Sequence, residues 1–224
     1  MIKAINGSMD APRGGKSRTA MNTEIFIKIY ETMFELGTFR QHDLVVKLDS
    51  DTVFSANRLR GLFKNEDVSS PRLWSNSRWE MGDLMEGHPV RTPIATHGPM
   101  IVMTAAALDR YRNDPEECHN GTELNKSIYS HWGEDWFLTK CLTDVLGAKA
   151  DFMDKQLLET QRYWAPHDQH CFHEGVVAFH PYKTTASFYE CWMQMRITDI
   201  TMERDSAGAC DADPQGSVRL NVVT

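Results

Sequence analysis

No apolar run in this chain approaches the ~18 residues that a membrane-crossing helix needs. The longest, Met100-Ile101-Val102-Met103 and Val176-Val177-Ala178-Phe179, are strand-sized. A hydrophobic leader is missing as well, because residues 1–21 are largely polar and contain glycine. The five cysteines (Cys118, Cys141, Cys171, Cys191, Cys210) are widely spaced and odd in number, with no CxxC pair. They demand neither a disulfide framework nor a zinc ribbon. There is no basic surplus: 24 Lys and Arg stand against 31 Asp and Glu, a formal charge of −7 over 224 residues. That balance disfavours nucleic acid as a partner bound by phosphate neutralisation. Gly-x-Ser-x-Gly, His-Glu-x-x-His and Gly-x-Gly-x-x-Gly are all absent, which disfavours common hydrolases and nicotinamide enzymes. Gly15-Lys16-Ser17 mimics the end of a P-loop, but Asp10 stands where that motif needs its first glycine.

What is present is an ordinary globular composition, 41% hydrophobic, with enough chain for one large domain. The sequence divides into a flexible N-terminal segment (1–21), an α/β domain (22–202) and a flexible polar tail (203–224). Asn22 or Thr23 can cap a helix to Leu36, with Ile25, Phe26, Ile29, Met33 and Leu36 on one stripe and Gly37 as its stop. A buried strand, Leu44–Leu48, follows. Residues 64–97 carry little periodicity and read as loop-rich. A second strand, Met100–Met103, leads into a short helix capped by Thr104, and a second clear helix runs from Gly133 to Leu146 before Gly147. A third strand covers Gly175–Phe179 and ends in His180-Pro181.

Three constellations carry chemistry. Asp49-Ser50-Asp51 follows the first strand directly, and two carboxylates at a strand end can converge on one hard divalent cation. Acidic pairs in loops are more often solvated turn-formers, and it is the strand immediately before this pair that favours the metal reading. Glu134 and Asp135 open the second helix, where acids suit the macrodipole whatever the function. The functional alternative is a general base for a hydroxyl acceptor, with Trp132 and Trp136 as stacking surfaces. His180, at a strand end, is either a third metal ligand or a hydrogen-bonded surface residue. His167, His170 and His173, with Cys171 among them, offer a zinc site that no second cluster completes.

In order, Asp43 to Phe54 (DLVVKLDSDTVF), Gly98 to Leu108 (GPMIVMTAAAL), Gly133 to Leu142 (GEDWFLTKCL) and Val176 to His180 (VVAFH) resemble a GT-A-fold glycosyltransferase of the fringe and β-1,3-galactosyltransferase-like group. The resemblance covers residues 22–195. It implies a GT-A-like mixed sheet flanked by helices that lacks its first N-terminal βαβ units, since only 48 residues precede Asp49. It implies a metal-dependent transfer, with inversion, of a hexose or hexosamine from a nucleotide-diphosphate sugar, UDP-linked for preference. The acceptor would be a glycan or glycoprotein hydroxyl. By the same resemblance Asp49, Asp51 and His180 would hold Mn²⁺ or Mg²⁺, and Lys47 would join Asp49 and Asp51 in binding the donor. Asp135, or else Glu134, would be the catalytic base. Trp132, Trp136, Trp79, Gly98 and Gly133 would line the substrate site. A catalytically inactive or truncated glycan-binding relative is the alternative. The family's place is the Golgi or secretory lumen, held there by an upstream anchor; without one the chain reads as cytoplasmic. Sequons at Asn6, Asn120 and Asn125 permit a secretory origin.

Overall fold

The computed structural model describes residues 10–14, 19–78, 94–120, 133–159, 171–206 and 218–223. A short antiparallel ribbon, β1 (Arg13–Gly14) with β2 (Thr19–Ala20), leads into α1 (Thr23–Leu36). Ile29, Tyr30 and Met33 bury the apolar stripe of α1, and Gly37 ends it at φ 66°, its amide donating to the Met33 carbonyl. Glycine takes that left-handed geometry without a steric cost. A 3-10 turn (Thr38–Gln41) feeds β3 (Leu44–Leu48), β4 (Val53–Phe54) and α2 (Ala56–Leu62), where Ser55 caps the helix by accepting from the Arg58 amide. Next come β5 (Arg72–Ser75), β6 (Ser77–Arg78), β7 (Ile94–Ala95), β8 (Met100–Thr104) and α3 (Ala105–Asn113). Thr104 caps α3 through the Ala107 amide, as its sequence predicts. The chain continues with α4 (Pro115–Asn120), α5 (Glu134–Thr139) and a π-helical turn (Lys140–Val145) that Gly147, also at φ 66°, brings to a stop. Strands β9 (Lys149–Phe152), β10 (Leu157–Glu159) and β11 (Ala178–His180), helix α6 (Thr185–Ser206) and β12 (Leu220–Val223) complete the described chain.

The main sheet is mixed, in the order β12-β3-β8-β5-β9, with the two outer pairings parallel and the two inner ones antiparallel. Helices pack on it, so the α/β class with a mixed sheet flanked by helices holds. Strand periodicity sorts β3 between two cores. Val45 faces a cluster under α1, α3 and α5 with Tyr30, Leu73, Met103 and Phe137, whereas Leu44, Val46 and Leu48 face Leu59, Phe63, Trp74 and Val102. All five β3 residues are buried, which is why the strand reads as a nearly unbroken apolar run. Lys47 shares the Val45 side, and its fate matters below. A smaller sheet, β10-β11-β4, sits beside the end of β3 and packs through Val53 and Phe179 against Cys191 and Met195 of α6.

One expectation needs correcting, and three further features add to the sequence reading. The loop-rich reading of residues 64–97 misses β5, which bonds to β8 on one side and β9 on the other. Four residues are too few to show a period; cross-strand partners such as Asp151, which accepts from Arg72 Nε at 2.9 Å, select the strand. The flexible tail contains β12, which pairs in parallel with β3 and is pinned by Arg219 Nη2 donating to Asp43 Oδ1 at 2.9 Å. The flexible N-terminal segment contains the β1–β2 ribbon. Four of the five cysteines form two disulfides, Cys118–Cys141 and Cys171–Cys191, both between residues distant in sequence and close only after folding. Among the described residues no helix is long and apolar enough to cross a membrane.

Candidate metal and acid-base site

The end of β3 turns sharply. The Thr52 amide donates to the Asp49 carbonyl at 3.0 Å, closing a turn over Asp49-Ser50-Asp51-Thr52. The Asp49 amide and the Thr52 hydroxyl both donate to the Pro99 carbonyl at 3.1 Å, so the Gly98-Pro99 turn before β8 holds this one in place. β4 then leaves antiparallel to β11, with Val53 opposite Phe179. Continuing that register one residue brings His180 back to the turn. Its Nε2 stands 3.4 Å from Asp51 Oδ1, and the Tyr182 amide donates to the Asp51 carbonyl at 2.9 Å.

Asp49, Asp51 and His180 can thus each present one ligand atom, all within 4.8 Å of one another. Two carboxylates and one imidazole form a donor set that fits a hard or borderline divalent ion, and the imidazole favours Mn²⁺ over Mg²⁺. Lys183 donates to Asp51 Oδ2. Burial by itself would raise the Asp51 carboxyl, but the Lys183 ammonium and His180 outweigh it and hold Asp51 below the usual carboxylate range. Lys183 carries no signal in the sequence, since a lysine three residues past a strand has no pattern of its own.

The acid-base half comes from α5. Asn22, expected to cap its own helix, makes no such bond; its Oδ1 instead accepts from the Glu134 amide at 3.0 Å and caps α5 across the fold. The Thr139 hydroxyl donates to the Asp135 carbonyl at 2.9 Å and accepts from the Thr96 amide at 2.9 Å, fixing the first turn of α5 to β7. Asp135 Oδ1 accepts from the Trp136 amide at 2.8 Å. Burial, with the Glu134 charge added, pushes the Asp135 carboxyl up to about 7. A carboxylate titrating there suits a general base at neutral pH.

Gly98 locates the two halves relative to each other. A methyl group on its α-carbon would lie 3.6 Å from Glu134 Oε1, 3.8 Å from Asp135 Oδ2 and 4.0 Å from Asp49 Oδ2. Three carboxylates from two distant segments therefore border one small space. At Gly133 a methyl group would meet Asp135 Oδ1 at 2.9 Å, so glycine there leaves room for the Asp135 rotamer. Gly98 and Gly133 both adjoin these carboxylates.

Lys47 differs from its expected donor-binding role. It is wholly buried, and its ammonium has three acceptors: Asp49 Oδ1 at 2.6 Å, Glu134 Oε1 at 2.5 Å and the Gly98 carbonyl at 2.5 Å. The Phe26 ring lies 4.7 Å away. An ammonium has three protons, so this cation orients acids rather than reaching for a phosphate. Burial would lower it, but the Glu134 and Asp49 charges outweigh that and hold it above the usual lysine range. Glu134 is buried beside it and serves as its counter-ion, leaving Asp135 as the base candidate.

Trp136, expected on the substrate surface, is buried in the helix-side core that also holds Tyr30 and Phe137. Trp79 and Trp132 lie outside the described residues, as do His167 and His170. The zinc reading loses Cys171, whose sulfur is bonded to Cys191. No protein-family model matches the chain, and no curated protein matches it.

Proposed function

We propose that this chain is a metal-dependent glycosyltransferase domain of GT-A type. It would move a hexose or hexosamine from a nucleotide-diphosphate sugar, UDP-linked for preference, to a hydroxyl of a glycan or glycoprotein, with inversion. The observation that carries this reading is the shared space at Gly98, which Asp49 of the candidate metal set borders together with Asp135. An inverting transfer needs just those two parts side by side, one for the leaving diphosphate and one for the incoming hydroxyl.

In this reading Asp49, Asp51 and His180 would hold Mn²⁺, which when bound would neutralise charge on the diphosphate. Asp135 takes the acceptor's proton while the acceptor oxygen forms its bond to the sugar's anomeric carbon from the face opposite the diphosphate. The bond from that carbon to the diphosphate oxygen breaks, and its electron pair leaves with the diphosphate. Lys47 keeps Glu134 and Asp49 in place during the step. The two disulfides suit an oxidising compartment and so support a secretory or Golgi-lumenal setting.

Calorimetric titration of the chain with UDP-sugars, with and without Mn²⁺, tests the proposal. Binding that requires Mn²⁺ and disappears in Asp51→Ala is expected. Metal-independent binding, or binding unchanged in that variant, would remove the metal assignment. Glycan binding with no nucleotide binding would instead identify the non-catalytic relative.

A further inference from the structure

Helix α6 is apolar on two opposite faces. Phe188, Cys191 and Met195 pack against Val53, Phe179 and Tyr182, and Thr198 and Asp199 are buried on the same side. Tyr189, Met193 and Ile197 are each more than half exposed, and Trp192 and Ile200 are exposed by about two-fifths. At 3.6 residues per turn Tyr189, Met193, Ile197 and Ile200 form one stripe, with Trp192 on its flank, roughly opposite the buried face. The helix cannot roll to hide this stripe. The Cys171–Cys191 disulfide ties its buried face to the chain before β11, and Asp199 accepts from Arg58 Nε at 2.6 Å.

We infer that this stripe is the contact surface of a homodimer, with α6 of a second copy as its occupant. The inference is independent of the proposed activity. The first argument is area: taking roughly 150–250 Å² for each large side chain, the five at these exposures present about 500 Å². Paired with its own copy, the stripe buries about 1,000 Å², the lower bound for a specific interface, and its flanking residues add to that. The second argument is charge. Between residues 185 and 201 the exposed charges are Glu190 and Arg196, one on each flank, so the stripe carries no net charge to repel itself. A lipid surface fits poorly, because an interfacial helix flanks its apolar face with Lys and Arg, and this chain carries a net charge of −7.

Sedimentation velocity on the full chain, from about 1 to 200 μM, reads the association over the range expected of a modest interface. Twice the monomer mass is expected at the upper end. Met193→Glu and Ile197→Glu should each weaken the dimer by at least about 100-fold with unchanged circular dichroism, because both side chains are already exposed. Leu36→Glu, exposed on α1 rather than on α6, should leave the dimer intact. A wild-type chain monomeric throughout overturns the inference, and so does a folded Met193→Glu chain that still dimerises. If the variants do not fold, hydroxyl-radical footprinting of the wild type decides it. Met193 and Trp192 should be protected at high but not at low concentration, and equal labelling overturns the inference.

Discussion

Lys47 Nζ stands 2.5 Å from Glu134 Oε1, a pair 87 residues apart in sequence and buried together beneath α1. This ion pair links β3 of the main sheet to the helix that carries the candidate base. An unpartnered buried charge is more costly than no pair at all. Lys47→Met should therefore destabilise the chain by about 3–5 kcal/mol in urea unfolding, and Lys47→Met with Glu134→Leu should recover part of the loss. A loss in the double variant equal to the sum of the two single-variant losses would show that the pair carries no coupling.

Asp135 links stability to pH with a definite sign. Its carboxyl titrates near the ordinary 3.8 in the unfolded chain and is pushed up to about 7 in the folded one. Below 3.8 both states are protonated and there is no penalty; as pH rises to about 7 the unfolded state alone has lost its proton, so stability declines, and above 7 the penalty is complete. In metal-free buffer Asp135→Asn should gain stability, on the order of 2 kcal/mol at pH 8 and less at pH 5. The same variant should lose transfer activity, and the wild-type rate should climb through pH 7. A variant equally stabilised at both pH values would contradict this.

Gly98→Ala separates the fold from the site. Its methyl group meets the three carboxylates at ordinary contact distance, so the melting temperature should stay within a few degrees of the wild type. The methyl occupies the space that the two half-sites share, and UDP-sugar affinity in Mn²⁺ should fall about tenfold, or roughly 1.4 kcal/mol. Unchanged affinity would place the ligand elsewhere.

Arg58 binds α6 to the rest of the chain. Nε donates to Asp199 Oδ1 at 2.6 Å, Nη1 to the His173 and Val176 carbonyls at 2.9 and 2.8 Å, and Nη2 to the Met195 carbonyl at 3.3 Å. A lysine ammonium cannot reproduce that planar fork. Arg58→Lys should cost about 2–3 kcal/mol by thermal unfolding, and Arg60→Lys, on the same helix, under about 1 kcal/mol. Similar losses at both positions would deny Arg58 its special place.

Much of the frame was legible because its signals are local. The stripe of α1, the Thr104 cap and the stops at Gly37 and Gly147 depend on residues within one turn of each other. β3 announced itself as a short apolar run, and a strand buried on both faces must look like that. β5 and β12 had no such signal. Arg72-Leu73-Trp74-Ser75 is a strand because β8 and β9 lie on either side, and Leu220–Val223 because β3 has an edge to offer.

For the site, the order of residues along the chain determined which chemical groups were available: two acids past a strand, an acidic helix start, a strand-end histidine. The tertiary structure decided their partners. The β4–β11 register set His180 beside Asp51, Gly98 left space among Asp49, Glu134 and Asp135, and Lys47 was drawn inward to balance two of those acids. The physical reason is range. Backbone periodicity and capping act over a few residues, whereas a buried charge finds its counter-ion wherever the packing of sheet and helix brings one within reach.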